Sequence, residues 1–400
     1  MQAVTEALRA ELESLLNESV SSVRNREATA FDQSLARFDR RVVLFGAGNL
    51  GRRVARVLVR EGYSVQGFAD NRSSLWGTDL DGLPVLSPAK AALRYGDSAT
   101  FMVTIWNADH LYVETFNQLK ALGCEHVVPV SQFRWKYHEE FLPFFFEDVP
   151  HQIVEQAGPI QQAFSLWSED RSRQEFVRHL RWQIEGAFEH LPPLAREESY
   201  FPDDLFRLND DEVFVDCGAF NGDTIEAYRK RKGSAYRQII AIEPDPANLK
   251  RLRSYVAMLP EVERQRIRVE PCAVSDKREK VRFNADGTVG AAISDAGALE
   301  VECAPLDEIL KGLVPSHIKM DIEGAEPSAL KGAARLIRDH QPILSVCVYH
   351  RQDHVWSIPN LIHELHPGYS LFLRHHEPDG WQVVCYAIPQ HRLNDVRHAR

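Results

Sequence analysis

The chain has 400 residues, which is enough for two or three domains rather than one core. Its 44% hydrophobic and 26% charged residues are those of an ordinary soluble globular protein. A formal net charge of -10 disfavours broad nucleic-acid binding, which uses basic surfaces. Six cysteines without a C-x-x-C pair indicate neither a zinc ribbon nor a disulfide framework.

A helical segment is predicted over residues 1–39. Glu and Arg are mixed throughout its first part without a continuous apolar run, so we expect neither a signal peptide nor a membrane span. Leu8, Leu12, Leu15 and Leu16 recur at helical spacing. This face either packs on its own domain or forms a dimer. Because we expect neither a signal peptide nor a membrane span, we expect a cytoplasmic protein. A homo-oligomer is left open.

Residues 40–135 have the pattern of a Rossmann-like domain. The apolar run Val42–Phe45 enters a glycine-rich turn, and the strand-like run Ser64–Asp70 follows a helix-patterned segment. Together these runs satisfy the dinucleotide fingerprint at Gly46, Gly48, Gly51 and Asp70. The predicted ligand is a nucleotide or nucleotide-sugar; NAD, or a site lost to a structural role, are the alternatives.

Residues 136–208 contain many aromatic side chains and no convincing strand. Phe176, Leu180 and Ile184 follow helical periodicity, and proline pairs interrupt the segment before the next sheet. We expect a helical linker that builds core, or a helical lid over a site in the following domain.

Residues 209–400 return to alternating strands and helices, which predicts a second mostly parallel sheet. Asp216, Glu243 and Asp321 each end a strand-like run, so they should converge on one crevice. The turn containing Gly218 and Gly222 lacks the full spacing of a pyrophosphate site and favours a cofactor without phosphates. Near the end, Glu377-Pro-Asp-Gly380 predicts the turn of an antiparallel hairpin.

Five ordered motifs in this region resemble the FkbM-type S-adenosylmethionine-dependent methyltransferases. They are Val215-Asp-Cys-Gly-Ala-Phe-Asn-Gly-Asp223, Ile242-Glu-Pro-Asp-Pro246, Ala273-Val-Ser-Asp276, Leu306-Asp-Glu308, and Ile318-Lys-Met-Asp-Ile-Glu-Gly-Ala-Glu326 with Leu330-Lys-Gly-Ala333.

The resemblance implies a Class I methyltransferase sheet, so the predicted fold class is α/β with two doubly wound Rossmann-like sheets. It also implies that Glu243 binds the ribose of S-adenosylmethionine. Asp216, Gly218 and Gly222 would hold the methionine part, and Ala273 with Asp276 the adenine edge, although Asp276 could instead stabilise a turn. The remaining members of the implied cofactor-binding set are Asn221 and Asp245.

Carboxylates after the fourth strand are the candidate catalytic groups. Asp321 is the first choice, Glu323 the second, and Glu326 is expected to be a helix N-terminal charge, because three carboxylates cannot share one dry pocket without raising one another's pKa. His350 ends the next strand and is predicted to be either a general base or a structural histidine, at a place where family members often have glutamate.

No metal site is assigned from the sequence. His350 and His354 lie four residues apart, but no third ligand accompanies them, and a divalent cation at Asp321 is the remaining option.

In the first domain, Gly67–Asn71, Gly77 and Gly82–Pro88 resemble nucleotide-sugar-binding domains of sugar acyltransferases.

The predicted function is an S-adenosylmethionine-dependent O-methyltransferase, of the EC 2.1.1 class, that acts on a hydroxyl of a sugar, glycan or related small metabolite. The alternatives are an NAD-dependent oxidoreductase using the first glycine-rich site, or a non-catalytic nucleotide-sugar-binding module.

Overall fold

The computed structural model describes residues 2–107, 110–284, 292–293 and 299–394. Two helices come first, α1 (Gln2–Leu16) and α2 (Val20–Leu35). The leucine face of α1 is buried within the chain, where Leu8, Leu12 and Leu16 join the core of the C-terminal sheet. Phe31 and Leu35 of α2 join the core of the N-terminal sheet instead. Packing within the chain therefore accounts for the leucine pattern.

The N-terminal sheet has six strands in the order β3-β4-β2-β1-β5-β6, and all neighbours pair in parallel except β3 with β4. Its strands are β1 (Arg41–Phe45), β2 (Ser64–Ala69), β3 (Asp79–Leu80), β4 (Leu83–Leu86), β5 (Thr100–Val103) and β6 (Val127–Pro129). The helices between them are α3 (Asn49–Arg60), α4 (Pro88–Tyr95) and α5 (Tyr112–Ala121). The predicted α/β character is confirmed.

Gly51 shows why the first turn needs glycine. A Cβ atom at this position would lie 1.9 Å from the carbonyl oxygen of Gly46, so no side chain fits where α3 crosses the end of β1.

A run of helices joins the two sheets, namely α6 (Ser131–Lys136), α7 (His138–Phe141), α8 (His151–Glu155), α9 (Ala157–Leu166) and α10 (Asp170–Glu185). This segment also reaches the outer strand of the C-terminal sheet, because the backbone N–H of Ser168 donates to the carbonyl oxygen of Leu371 at 2.9 Å. Its buried residues, including Phe176 and Leu180, belong to the same core as that sheet.

The C-terminal sheet has seven strands in the order β16-β17-β15-β14-β7-β8-β9. Five are parallel, and the last two form the predicted antiparallel hairpin. The strands are β7 (Val213–Cys217), β8 (Gln238–Ile242), β9 (Ile267–Glu270), β14 (His317–Met320), β15 (Ile343–Cys347), β16 (Tyr369–His375) and β17 (Val383–Pro389). The strand order reverses beside β7, which places a crevice between the carboxyl ends of β7 and β14.

The helices of this half are α11 (Asp223–Lys232), α12 (Pro246–Ala257), α13 (Glu261–Arg264), α14 (Leu306–Ile309), α15 (Glu326–Gly332), α16 (Ala334–His340) and α17 (His354–Leu365). Among the residues described, none of the helices combines the length and the apolar character needed to cross a bilayer.

A third, four-stranded sheet was not predicted. It contains β10 (Ala273–Val274), β11 (Glu279–Asn284), β12 (Ala292–Ile293) and β13 (Leu299–Ala304), in the order β10-β13-β11-β12. Charged residues alternate with apolar ones along β11 and β13, as expected of a sheet with one exposed face. That alternation is the sequence signal that was missed.

Candidate active site

A cavity of about 290 Å³ lies at the carboxyl ends of β7, β8 and β14. Its walls contain residues from the glycine-rich turn, from the two neighbouring strand ends and from the hairpin. The lining residues include Phe145, Tyr200, Gly218, Phe220, Glu243, Ala273, Lys319, Asp321, Glu323, Tyr349, Glu377, Trp381 and Gln382. The crevice expected from the sequence is therefore present.

Glu243 follows β8 and faces this cavity. Its Oε2 accepts the backbone N–H of Phe220 at 2.9 Å, and its Oε1 accepts that of Asp245 at 2.8 Å. Burial raises the pKa of Glu243 to about 7, although both backbone donors act in the opposite direction. The carboxylate thus lies beside the glycine-rich turn, where it can accept hydrogen bonds from hydroxyl groups of a ligand.

Gly218 brings the backbone of the turn close to the next strand end. It has a φ of 78°, and a Cβ atom would lie 1.9 Å from the carbonyl oxygen of Asp321. Only glycine fits this contact. The turn can therefore lie flat against β14 and leave the cavity open above it.

Asp216 lies behind the cavity rather than in its wall. It is completely buried, and its Oδ1 lies 2.9 Å from Nζ of Lys319, which also donates to the carbonyl oxygen of Gly218 at 2.8 Å. Burial raises the pKa of Asp216 to about 6, and Lys319 opposes that change. Asp216 therefore holds the turn in place through Lys319, and its contact with the cofactor stays a prediction.

The other predicted cofactor residues line the cavity, belong to the glycine-rich turn or stabilise the structure next to it. Ala273 lines the cavity. Gly222 begins α11 with a φ of 95°, and Asn221 accepts the backbone N–H of Asp223. Asp245 is buried as the N-cap of α12, and the carboxylate of Asp276 accepts hydroxyl groups of Ser275 and Ser328. These two carboxylates stabilise helix and turn structure, which is the alternative weighed for Asp276.

Asp321 accepts three donors at the end of β14. Tyr200 donates to Oδ2 at 2.7 Å and Tyr349 donates to Oδ1 at 3.2 Å, while Nε2 of His350 lies 3.2 Å from Oδ1. Burial would raise the pKa of Asp321, but His350, Lys319 and Tyr200 hold it well below the usual range. Asp321 is therefore a fixed anion at the edge of the cavity.

His350 is buried between carboxylates. Its Nδ1 lies 2.7 Å from Oε1 of Glu326, on the side opposite Asp321. Burial would lower the pKa of His350, but Glu326, Asp321 and Glu323 raise it well above its ordinary value. Glu326 is the first residue of α15, as expected of a helix N-terminal charge, and it is also completely buried, with its Oε2 3.4 Å from Nδ1 of His354.

Glu323 is a second carboxylate, after Glu243, that faces the cavity with a pKa near neutrality. Its backbone has a φ of 56°, which is uncommon for a residue with a side chain. Burial raises its pKa to about 7; His350 opposes this, whereas Asp321 and Glu326 add to it. Its Oε1 lies 3.7 Å from Nε2 of His350.

Asp321, Glu323 and His350 place one donor atom each within 4.8 Å of one another, which is close enough to ligate a single ion. A protonated His350 has no lone pair to donate, so a cation would have to displace its proton. The pair His350 and His354 contacts Glu326 and is not arranged as a metal pair on one helix face.

Several site residues were not predicted. Lys319 and Tyr349 lie inside or next to apolar strand runs, and a lysine in a buried strand was the available signal. Tyr200, Phe145 and Trp381 come from segments distant in sequence, and nothing local indicated their role. Phe145 packs edge-on against Trp381 with 4.9 Å between ring centroids, so the helical segment does contribute a wall of the cavity.

The N-terminal turn was the other predicted site. Gly46 has a φ of 112°, Gly48 is the N-cap of α3, and Gly51 contacts the turn as described above. Asp70 accepts the backbone N–H groups of Ala47 and Arg72, each at 2.8 Å. The guanidinium of Arg72 also binds both oxygens of Asp70 at 3.0 Å, so this acid is already paired with a cation.

Comparison with known proteins gives a family for the C-terminal half. Residues 216–376 match the family model described as a methyltransferase FkbM domain. The C-terminal half is similar to FkbM methyltransferase domains. This match supports a methyltransferase and confirms the resemblance found in the motifs. A search of curated proteins found no match.

The FkbM methyltransferase of Methylobacillus flagellatus KT has a similar structure, with a TM-score of 0.75 and 24% identity over 96% of this chain and 99% of that one. This similarity shows the fold across both halves. A precorrin-6y C5,15-methyltransferase from Geobacter metallireducens GS-15 has 14% identity and a TM-score of 0.30, over 46% of this chain and 84% of that one. The resemblance of the N-terminal domain to nucleotide-sugar-binding domains stays a prediction.

Proposed function

We propose that this protein is an S-adenosylmethionine-dependent O-methyltransferase that acts on a hydroxyl of a sugar, glycan or related small metabolite. One observation carries the proposal: the cavity has a carboxylate suited to ribose, Glu243, and a second one suited to proton removal, Glu323. The ends of β8 and β14 lie on either side of β7, about 10 Å apart at two strand spacings. The groups that bind and the groups that react are therefore separated.

When bound, S-adenosylmethionine supplies an electrophilic methyl group. Glu243 would accept the ribose hydroxyls, the backbone of Gly218 would lie against the methionine part, and Ala273 would lie at the adenine. These residues match the position of the family motifs and line the cavity or border it. Methyl transfer depends above all on alignment of the reacting atoms, which a narrow cavity with fixed walls favours.

Glu323 is the best candidate for the general base. A base works best when its pKa lies near the working pH, and Glu323 meets that condition, whereas the pKa of Asp321 is held well below its usual range and that of His350 is raised well above its ordinary value. The acceptor hydroxyl would give its proton to Glu323 as its oxygen bonds to the methyl carbon and the carbon–sulfur bond breaks. Asp321 and His350 are positioning residues in this proposal: Nε2 of His350 lies 3.2 Å from Asp321 and 3.7 Å from Glu323, and both side chains affect the pKa of Glu323.

No step of this proposal uses a divalent cation. The nucleotide or nucleotide-sugar role of the N-terminal domain stays a prediction, as does NAD binding. The ion pair between Asp70 and Arg72 has to open before Asp70 can bind a ribose.

The direct test is calorimetric titration with S-adenosylhomocysteine of the wild type, Glu243→Ala and Asp70→Ala. The proposal predicts one site per chain, with affinity lowered about 10- to 100-fold in Glu243→Ala because a hydrogen bond to a charged group contributes about 1.5–3 kcal/mol. Asp70→Ala is the matched control and should bind like the wild type. Loss of binding in Asp70→Ala alone would place the cofactor in the N-terminal domain and reject the proposal.

A further inference from the structure

A second cleft, of about 740 Å³, lies between the N-terminal sheet and the hairpin of the C-terminal sheet. We call it the aromatic cleft. Its walls come from the start of α5, the end of β6, the segment after α10 and the hairpin turn. The lining residues include Tyr112, Phe116, Glu185, Phe188, Glu189, Glu377 and Asp379. Glu377 also lines the active-site cavity, so one turn borders both spaces.

The hairpin turn and α5 are joined by a direct bond. Oδ2 of Asp379 accepts the backbone N–H of Tyr112, the first residue of α5, at 2.6 Å. The side chain of Leu111, the residue before α5, does not cap this helix end, and Asp379, 267 residues from Tyr112, supplies the acceptor instead. The two halves of the protein are therefore held together at the rim of the aromatic cleft.

The cleft combines aromatic faces with negative charge. Tyr112 stacks on Phe188 with 4.4 Å between ring centroids, and Phe116 lies beside Tyr112. The wall contains four carboxylates, one histidine, His375, and the phenol of Tyr112; no lysine or arginine is among the lining residues that the structure describes. A phosphate group would meet repulsion here, whereas hydroxyl and ammonium groups would find acceptors.

We propose that the aromatic cleft binds the remainder of the methyl acceptor, and that this acceptor is a phosphate-free glycoside, neutral or amino-bearing. Its apolar ring face packs against the stacked pair of Tyr112 and Phe188, and its hydroxyl or ammonium groups donate to Glu189 and Glu377. Glu185 already lies 2.7 Å from Nε2 of His190. This inference rests on the proposed function, and it narrows the acceptor class because a nucleoside diphosphate sugar would not be accepted in this cleft.

Another cleft, of about 770 Å³, is lined by Phe145, Arg351 and Glu364. It supplies the matched control. Glu189 and Glu364 are both exposed carboxylates, one in each cleft, so reversing either charge should leave the fold intact.

The test is ligand-observed NMR with the full chain saturated with S-adenosylhomocysteine. The probes are phenyl β-D-glucoside, phenyl β-D-glucosaminide and phenyl β-D-glucoside 6-phosphate. We expect the first two to bind at least 10-fold more tightly than the phosphate. Glu189→Lys should lower the affinity for phenyl β-D-glucosaminide at least 5-fold and reduce the difference in affinity between this probe and phenyl β-D-glucoside 6-phosphate. Glu364→Lys should change neither the affinity nor the difference.

Three results would overturn the inference: no probe binds, the phosphate binds as tightly as the others, or Glu364→Lys has the effect expected of Glu189→Lys. Calorimetry with S-adenosylhomocysteine separates these from failure of the proposed function. Cofactor binding without glycoside binding rejects the aromatic cleft alone, and absence of cofactor binding rejects the methyltransferase.

Discussion

The two sheets carry the same arrangement at the end of their second strand, with one decisive difference. Asp70 and Glu243 each accept a backbone N–H of their glycine-rich turn, and each accepts the N–H of the residue two positions later. That later residue is Arg72 in the N-terminal sheet and Asp245 in the C-terminal one. A cation pairs with the first acid, and an anion lies next to the second.

The consequence is opposite electrostatics in similar geometry. Burial would raise the pKa of Asp70, but Arg72 and the backbone donors hold it below its usual value. Burial raises the pKa of Glu243 to about 7; the backbone N–H groups of Asp245 and Phe220 oppose this, and the negative charge of Asp245 adds to it. A glycine turn followed by an acid therefore does not by itself indicate an available ligand site; the charge two residues after the acid has to be considered as well.

Removing Lys319 should have the largest effect. Lys319→Met leaves Asp216 as a buried carboxylate without its cation, and loss of one partner of a buried pair costs about 3–5 kcal/mol. We expect urea unfolding to show that loss in the free energy of unfolding. The double variant with Asp216→Asn should recover part of it, and equal instability of single and double variants would contradict the assigned pairing.

The proposed base should separate catalysis from cofactor binding. Glu323→Gln cannot take up the acceptor proton, so we expect methyl transfer to fall about 100-fold or more, within the usual range for general-base catalysis. Calorimetry should find S-adenosylhomocysteine bound as in the wild type. A variant with full activity would assign the proton to another group.

The pH dependence of cofactor binding should follow Glu243. With a pKa of about 7 this carboxyl is neutral in acid and becomes a stronger acceptor for ribose hydroxyls as it ionises, so affinity for S-adenosylhomocysteine should rise between pH 6 and 8. Glu243→Gln should flatten the calorimetric profile. The same raised pKa makes ionisation of Glu243 destabilising, so its contribution to folding is present below pH 4.5 and lost as pH rises through about 7.

The smallest effect is expected at Arg72. This side chain is 59% exposed, so Arg72→Ala should change the free energy of unfolding by at most about 1 kcal/mol. The pKa of Asp70 should rise toward and above its usual value in the variant, which NMR titration of its carboxyl carbon can follow. An unchanged pKa would mean that the backbone donors alone hold Asp70 ionised.

The sequence predicted the strand ends and the carboxylates on them, because parallel strands have apolar runs that end at polar residues. It could not predict that Asp216 lies behind the cavity or that the pKa of His350 is raised, since both depend on Lys319 and Glu326 arriving from other elements. Tyr200, Phe145 and Asp379 reach the two clefts from segments far along the chain, and no local pattern encodes such contacts.

A crystal structure of the protein with S-adenosylhomocysteine tests the central claim most directly. We predict one molecule in the C-terminal cavity, with ribose hydroxyls within hydrogen-bond distance of Glu243, adenine beside Ala273 and the sulfur directed toward Glu323. Density at the Gly46–Gly51 turn instead, with the ion pair between Asp70 and Arg72 opened, would contradict the account.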